Sequence, residues 1–251
     1  MKLLITNDDG IQAPGLHALV KAGLSAGHQV FVSAPNKQQS ANSQRITIST
    51  PIMVFDYNEL PGAIAYAVDG TPADCVRIAS QLFEETFDFC ISGINNGDNA
   101  GCAVHYSGTV GAAKEAAMKY IPSLAVSIKI PSTEEMLTNL AKKAVRIAEY
   151  FQNIPLPRLT VLNLNAPALP QEELKPLVLC ETDDGYYKEA YECRISPRGK
   201  KYFWISAGVN METPKPNTDC DLLNKGHMTL TLLSDYADAN QSIAEHMPKL
   251  L

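Results

Sequence analysis

Short apolar runs alternate with segments of helical periodicity through the first two-thirds of the chain, and this alternation restricts the fold more than any other feature. Strands are predicted over residues 2–6, 29–33, 87–92, 123–128 and 159–163, since each run is short, apolar and bounded by Gly, Pro or Asn. Repeated strand–helix–strand units favour a mostly parallel sheet with helices on both faces. The predicted fold class is α/β.

The helices of these units carry their own start signals. One is predicted to start near Pro14, and another to cover residues 107–119. Capping boxes are read at Thr71, with Asp74 three residues on, and at Ser132, with Glu135 three residues on. Both boxes are interpreted as structural.

Two regions depart from the alternation. Residues 45–50, 52–57 and 64–68 are β-type runs. After residue 170 the chain turns to short runs with polar breaks, with strands expected over residues 201–206 and 227–232 and a weak helix over residues 234–250. We therefore predict an α/β core over residues 1–165. Residues 166–251 would form a β-rich extension with a terminal helix, serving oligomer contacts or forming a second small subdomain.

Charge and composition narrow the class of protein. The chain has 251 residues, 21 Lys and Arg against 27 Asp and Glu, and a net charge of −6. A net acidic chain lacks the positive surface of a general nucleic-acid binder, although a small phosphorylated ligand is still compatible. No apolar run resembles a signal peptide or a membrane span, so we expect a soluble, cytoplasmic protein. The six cysteines contain no C-x-x-C pair and are expected to be reduced.

Polar loops follow three of the predicted strands, over residues 7–10, 34–40 and 93–101. Ligands of open α/β sheets bind outside the carboxyl ends of the strands, so these loops should meet at one edge. Asp8 and Asp9 converge only if the chain turns there, which Asn7 and Gly10 favour. Two close carboxylates repel each other, and a hard cation such as Mg²⁺ or Mn²⁺ relieves the repulsion. The alternative is a solvated turn without metal.

Two further segments carry candidate ligand groups. Asn95, Asn96 and Asn99 offer amide oxygens for a metal and amide donors for an anion, or else belong to a flexible surface loop. Residues 107–109 (Ser-Gly-Thr) open a helix whose hydroxyls, free N–H groups and dipole suit an anion, although Ser107 alone also fits a plain N-cap. Of the five histidines, only His105 lies near these loops in the sequence. Residues 183–185 repeat the Asp-Asp-Gly sequence of residues 8–10 but are interpreted as a turn.

Taken together and in order, these segments resemble the SurE family, the stationary-phase survival nucleotidases. The similar stretches are LITNDDGI at residues 4–11, Ala34–Pro35 leading to Ser40, GTPADC at 70–75, SGIN at 92–95 with Gly97, Asn99 and Gly101, YSGTV at 106–110, and SPRG at 196–199 ahead of Tyr202 and Trp204. The resemblance covers nearly the whole chain. It implies a Rossmann-like, mostly parallel sheet flanked by helices, with a β-rich C-terminal oligomerisation arm.

The resemblance also implies an activity and a site. Members are metal-dependent phosphatases of nucleoside 5′- and 3′-monophosphates, some of which trim polyphosphate. Carried over by motif, the ligands of one divalent cation, Mg²⁺ or Mn²⁺, are Asp8, Asp9, Ser40 and Asn95, with Asp8 and Asp9 catalytic. The positions associated with phosphate are Asn99, Ser107, Gly108 and Thr109. A homodimer or homotetramer is expected, with a nucleoside monophosphate as substrate and no nucleic-acid or membrane partner.

Four residues differ from the family's usual pattern, and two other functions share features with the sequence. Arg45 stands where a small residue is usual, Asp98 where Pro is common, and His227–Met228 replaces Tyr-Val. A haloacid-dehalogenase-type phosphatase needs an aspartate nucleophile at the position that Asn7 occupies. A nucleotide-binding or sensor module without hydrolysis is the alternative from another class, although anion binding alone gains nothing from two carboxylates.

Overall fold

A computed structural model describes residues 1–185, 187–188, 190–205, 210–211 and 213–234 of the chain. The helices are α1 (Pro14–Ser25), α2 (Pro72–Phe83), α3 (Gly108–Met118), α4 (Glu134–Phe151) and α5 (Asp219–Asn224), with a 3₁₀ turn at Gly101–His105. The strands are β1 (Lys2–Thr6), β2 (Gln29–Pro35), β3 (Met53–Asp56), β4 (Ile64–Asp69), β5 (Phe89–Asn96), β6 (Ser123–Ile128), β7 (Thr160–Ala166), β8 (Lys175–Leu179), β9 (Tyr187–Lys188), β10 (Tyr191–Ile195), β11 (Lys201–Ile205), β12 (Asn210–Met211) and β13 (His227–Ser234).

A nine-stranded sheet forms the centre of the molecule, in the order β3-β4-β2-β1-β5-β6-β7-β13-β8. The strands from β4 to β7 pair in parallel, whereas β3 and β13 join antiparallel to β4 and β7. The predicted α/β class with a mostly parallel sheet is confirmed. The strand order reverses direction between β1 and β5, which is the switch point where such sheets bind ligands.

Helices cover both faces of this sheet, since α1 packs against α4 and α2 packs against α3. The buried stripe of α4 repeats at helical spacing, through Leu137, Leu140, Ala141, Ala144, Val145 and Ala148. The predicted capping box at Thr71 is confirmed, because Thr71 and Asp74 exchange side-chain and backbone hydrogen bonds. The one predicted at Ser132 is wrong. Thr133 is the N-cap and accepts from the Met136 N–H.

The strand predicted over residues 45–50 is absent, because this segment binds to the start of α2 rather than to the sheet. The Thr47 N–H and hydroxyl donate to Asp74, and the Thr71 hydroxyl donates to the Arg45 carbonyl. Ile48 is 85% exposed and Ile46 is half-buried, so neither isoleucine of the run belongs to the buried core. The runs at 52–57 and 64–68 do form β3 and β4.

The chain beyond residue 165 divides between the sheet and a separate hairpin. Strands β8 and β13 join the main sheet, so the predicted boundary at 165 does not mark the end of that sheet. Strands β10 and β11 pair only with each other, and β9 pairs with β12. The helix expected over residues 234–250 lies, from residue 235 on, outside the described residues.

Some boundaries also shift. Strand β5 runs on to Asn96, four residues beyond its predicted end, and β7 runs on to Ala166.

Within the described segments no helix is long and apolar enough to cross a membrane. All six cysteines are free thiols in this structure.

Candidate functional site

The three polar loops meet at the carboxyl ends of β1, β2 and β5 and enclose a pocket of about 270 Å³. Six of the eight predicted site residues contribute to its wall, whereas Gly108 and Thr109 stand behind it. The lining residues are Asp8, Asp9, Gln38, Ser40, Ala41, Asn95, Asn96, Asn99, Ala103, Tyr106 and Ser107. The pocket lies at the switch point between β1 and β5.

The turn expected after β1 is formed by the side chain of Asn7. Its amide nitrogen donates to the Gly10 carbonyl at 2.8 Å, and its amide oxygen accepts from the Gly10 N–H at 3.2 Å. Gly10 adopts φ +100°, a conformation that L residues with a side chain rarely reach. The turn brings Asp8 and Asp9 to one pocket, with Asp8 4% exposed and Asp9 half-buried.

Asp8 is held against the beginning of α3. The Thr109 hydroxyl donates to Asp8 Oδ1. A Cβ on Gly108 would lie 2.9 Å from Asp8 Cβ, so only glycine lets the helix approach this closely. Burial raises the pKa of Asp8 to about 6; the Thr109 hydrogen bond opposes this rise, and the charge of Asp9 adds to it.

Asp9 and the neighbouring loops are joined by hydrogen bonds. The Asn96 N–H donates to Asp9 Oδ2 at 3.0 Å. The Gln38 amide donates to Asp9 Oδ1 at 3.4 Å and to Ser40 Oγ at 3.0 Å. Gln38 thereby links two of the predicted ligands, Asp9 and Ser40, across the loops after β1 and β2. Asn95 Nδ2 donates to the Gly97 carbonyl at 2.7 Å, and the amide oxygen of Asn95 is the atom that could accept from or coordinate a ligand.

The donor set of this pocket fits a hard divalent cation. Asp8, Asp9, Ser40 and Asn95 supply only oxygen ligands, the kind that Mg²⁺ and Mn²⁺ prefer. Two adjacent carboxylates without a countercharge are unfavourable, and a cation would relieve this repulsion. Among the described residues, His, Cys, Asp and Glu form no group of three able to hold a metal. A cation here would therefore depend on the amide and hydroxyl oxygens as well.

Ser107 and Asn99, the residues predicted to bind an anion, both line the pocket. Ser107 is the N-cap of α3, its oxygen accepting from the Val110 N–H at 3.1 Å, and its O–H remains available to a ligand. Asn99 Nδ2 donates one hydrogen to Ser127 Oγ at 2.8 Å, which leaves its second hydrogen for the pocket. Both the N-cap and the ligand-binding interpretations of Ser107 are therefore compatible with one geometry.

Sequence reasoning missed the residues that fix Asn99. The Asn99 N–H donates to Asn165 Oδ1 at 2.8 Å, and its carbonyl accepts from Asn163 Nδ2 at 2.9 Å and from Asn165 Nδ2 at 3.1 Å. Both asparagines are fully buried in β7. The sequence feature that could have indicated them is the alternation Leu-Asn-Leu-Asn at residues 162–165, which places two amide side chains within a buried strand.

A second group of residues outside the predicted site anchors the loop after β5. Asp219 is fully buried and accepts from the Gly101 N–H at 3.0 Å and from the Asp183 N–H at 2.8 Å. Asp183 accepts from the Gly185 N–H, as the predicted turn requires. His105 is exposed and does not line the pocket, although its carbonyl accepts from the Ser43 hydroxyl.

Arg45, one of the unusual positions, is exposed and is not among the residues that line the pocket. Asp98 is half-buried and also lies outside the lining. His227 and Met228 open strand β13, where the His227 ring pairs with the Pro176 carbonyl at 3.0 Å. None of these departures alters a predicted ligand.

Comparison with known proteins assigns the chain to a family. The profile described as "Survival protein SurE" matches residues 3–189. The 5′-nucleotidase SurE of Solidesulfovibrio magneticus is 41% identical, over 95% of this chain and 94% of its own length. That of Thermosynechococcus vestitus is 36% identical, over 98% and 96%. The crystal structure of the SurE protein from Aquifex aeolicus superposes with a TM-score of 0.82 at 33% identity, covering 100% of this chain and 99% of its own. The chain belongs to the SurE family.

Proposed function

We propose that this chain is a 5′-nucleotidase that hydrolyses nucleoside 5′-monophosphates, and also 3′-monophosphates, to nucleoside and phosphate with one divalent cation per subunit. The enzyme class rests on curated relatives named 5′-nucleotidase SurE, about 40% identical over nearly the whole chain. The observation that carries the mechanism is the convergence of Asp8 and Asp9 beside the start of α3, at the switch point of the sheet.

The cation, Mg²⁺ or Mn²⁺, would be held by Asp8, Asp9, Ser40 and Asn95. It supplies Lewis acidity toward the phosphoryl oxygens and the attacking water. Asp8 is the more rigid ligand, because Thr109 and the close approach of Gly108 fix it in the wall. Asp9 is the more exposed one, oriented by the Asn96 N–H, and faces the open part of the pocket.

The phosphate would lie between these carboxylates and the start of α3. The Ser107 hydroxyl and the second Nδ2 hydrogen of Asn99 donate to its oxygens, and the positive end of the helix dipole favours its charge. These donors are already fixed by the protein, so they need little reorganisation as charge develops in the transition state. Thr109, predicted as a phosphate ligand, acts here through its hydrogen bond to Asp8.

A phosphoenzyme route on Asn7 is disfavoured by its contacts. Asn7 is fully buried, and both its amide atoms are bonded to Gly10. An amide is also a poor nucleophile compared with the aspartate that such a route uses. Direct attack by water on the phosphorus is therefore the mechanism that we propose.

The hairpin of β10 and β11 is proposed to contact other copies of the chain, in a dimer or tetramer. Large apolar side chains cover it in the single chain, among them Phe203, Trp204 and Ile205, each at least 60% exposed. Exposed apolar surface of this kind marks interaction sites. The expected cytoplasmic location stays a prediction.

Phosphate release from a panel of 5′- and 3′-nucleotides, measured with Mn²⁺, Mg²⁺ or EDTA, tests the proposed function. We expect metal-dependent release by the wild type and a loss of about two orders of magnitude or more in Asp9→Asn. Asp56→Asn, the same change at an exposed residue of β3, is the control and should keep full activity. A folded Asp9→Asn protein with a near-normal rate would refute the role of Asp9. Nucleotide binding without any phosphate release would favour the non-hydrolytic module.

A further inference from the structure

A second and larger cavity adjoins the catalytic pocket. It measures about 1030 Å³ and lies between the first turns of α1 and α4, beside the segment that follows β6. Its lining residues are Asp9, Gln12, Ala13, Pro14, Gly15, His17, Ala18, Lys21, Gln38, Ile94, Asn96, Ile130, Pro131, Ser132, Glu134, Leu137 and Thr138. We call it the α1/α4 cleft.

The cleft is continuous with the catalytic pocket, because Asp9, Gln38 and Asn96 line both. Asn96 connects them physically: its N–H donates to Asp9, and its amide oxygen accepts from the Ser132 hydroxyl at 3.2 Å. A phosphate monoester bound at Asp9 can therefore extend directly into the cleft.

The size of the catalytic pocket favours such an extension. Small-molecule sites usually measure about 300–1,000 Å³, and the catalytic pocket of about 270 Å³ falls below that range. The α1/α4 cleft lies at its upper end. It also follows the carboxyl ends of β1, β5 and β6, the edge along which open α/β sheets hold their ligands.

The lining of the cleft combines apolar and hydrogen-bonding groups. Its apolar members include Pro14, Ile94, Ile130, Pro131 and Leu137. Polar groups stand among them on both helices, at Gln12, His17 and Lys21 on the α1 side and at Glu134 and Thr138 on α4.

His17 is one of the polar residues in the wall of this cleft. Its Nε2 lies 3.0 Å from the Ile11 carbonyl, which can only accept, so Nε2 carries the hydrogen. In the neutral ring Nδ1 then has a free lone pair. A flat ring with an apolar face and polar edges, joined to a sugar with hydroxyls, matches this mixed lining.

We propose that the α1/α4 cleft binds the nucleoside moiety of the substrate, with the phosphate in the catalytic pocket. This proposal rests on the proposed function. The cleft then sets KM for nucleotides and separates them from phosphate monoesters that lack a base.

Filling the cleft tests this proposal. Thr138→Trp adds an indole to an exposed helix position, and Lys21→Trp does the same from the opposite wall. Gln81→Trp is the control, since Gln81 is exposed on α2, on the other face of the sheet. Each variant is assayed with nucleoside 5′-monophosphates and with glycerol phosphate, whose leaving group is also an alkoxide but carries no base.

We expect both cleft variants to lose at least tenfold in kcat/KM for the nucleotides, through KM, with glycerol phosphate unchanged. Equal losses on both substrates, or no loss on either, would overturn the proposal. Adenosine binding to the Mn²⁺-loaded protein, measured by calorimetry, tests the nucleoside site in the cleft independently of the proposed hydrolysis. If the wild type binds adenosine, the cleft variants do not, and no phosphate is released, then the nucleoside site in the cleft is supported and the proposed hydrolysis is refuted. Unchanged adenosine binding in the cleft variants would refute the cleft.

Discussion

At the scale of single residues, the site depends on how closely the backbone approaches Asp8. Gly108 opens α3 directly against this carboxylate, and the Thr109 hydroxyl donates to it. A Ser-Gly-Thr helix start has the same sequence whether it faces an anion or a protein carboxylate, and the contact with Asp8 becomes visible only in the fold, which brings residues 8 and 108 together. The role of Gly108 and Thr109 toward phosphate, implied by the family resemblance, stays a prediction.

Gly108→Ala tests this packing. The added methyl would lie 2.9 Å from Asp8 Cβ and 3.1 Å from Oδ2, so the carboxylate must shift. Because a displacement of about 1 Å in an active site costs about a hundredfold, we expect a loss of that order in kcat/KM for a nucleoside 5′-monophosphate.

Gly27→Ala is the matched control. Gly27 has φ +81° and no atom within 4 Å of the added methyl, so the change strains the backbone by about 1 kcal/mol without touching the site. Steady-state kinetics and thermal unfolding are measured on both variants. A Gly108→Ala enzyme with wild-type kcat/KM would contradict the close approach.

At the scale of elements, the start of α2 shows what sequence patterns do and do not reveal. The capping box of Thr71 and Asp74 was predictable, because its spacing is local. Asp74 also accepts a hydrogen bond from the Thr47 N–H at 2.9 Å. This contact was not predictable, because it joins residues 27 positions apart. It explains why residues 45–50, strand-like in composition, follow α2 instead of the sheet.

Asp74→Asn tests this junction through pH. Burial alone would raise the pKa of Asp74, but hydrogen bonds from Thr47 and Thr71 outweigh burial and hold the pKa below its ordinary value of 3.8. A lowered pKa stabilises the fold above pH 3.8, and this stabilisation is lost as pH falls through the folded-state pKa. We expect Asp74→Asn to cost about 1–3 kcal/mol of unfolding free energy at pH 7.

The difference in unfolding free energy between Asp74→Asn and the wild type should be smaller at pH 2.5 than at pH 7. Urea titrations at the two pH values measure this difference. Asp69→Asn, at an exposed position on β4, is the control and should change the unfolding free energy little at either pH. A cost for Asp74→Asn that is the same at both pH values would contradict the role of its charge.

At the scale of the whole molecule, the order of strands and helices up to β7 followed from the sequence pattern except for the run at residues 45–50, which forms no strand. The edge that holds the pocket followed from the order of strands and polar loops. The addition of β8 and β13 to the sheet could not be predicted from the sequence, because the antiparallel pairing of β13 with β7 joins residues more than 60 positions apart. The anchoring asparagines of β7 were hidden for the same reason: their partner, Asn99, lies in a distant loop.

Subunit contacts of the hairpin are tested with Phe203→Asp. The wild type should sediment as a dimer or tetramer, and a charge amid the apolar hairpin should shift it toward the single chain. Trp204 is the chain's one tryptophan and is 60% exposed in the single chain, so its emission should move to the red on dissociation. Phe55→Asp, at an exposed phenylalanine of the edge strand β3, is the control. A wild type that sediments as a single chain would contradict the proposed contact.

The central claim is that Asp8 and its neighbours hold the cation on which hydrolysis depends. Its most direct test is Mn²⁺ binding by electron paramagnetic resonance, with phosphate release from a nucleoside 5′-monophosphate measured in the same samples of wild type and Asp8→Asn. The account predicts a single bound Mn²⁺ per wild-type chain, and the joint loss of bound Mn²⁺ and phosphate release in folded Asp8→Asn. Undiminished phosphate release by Asp8→Asn, or by wild type stripped with EDTA, would contradict it.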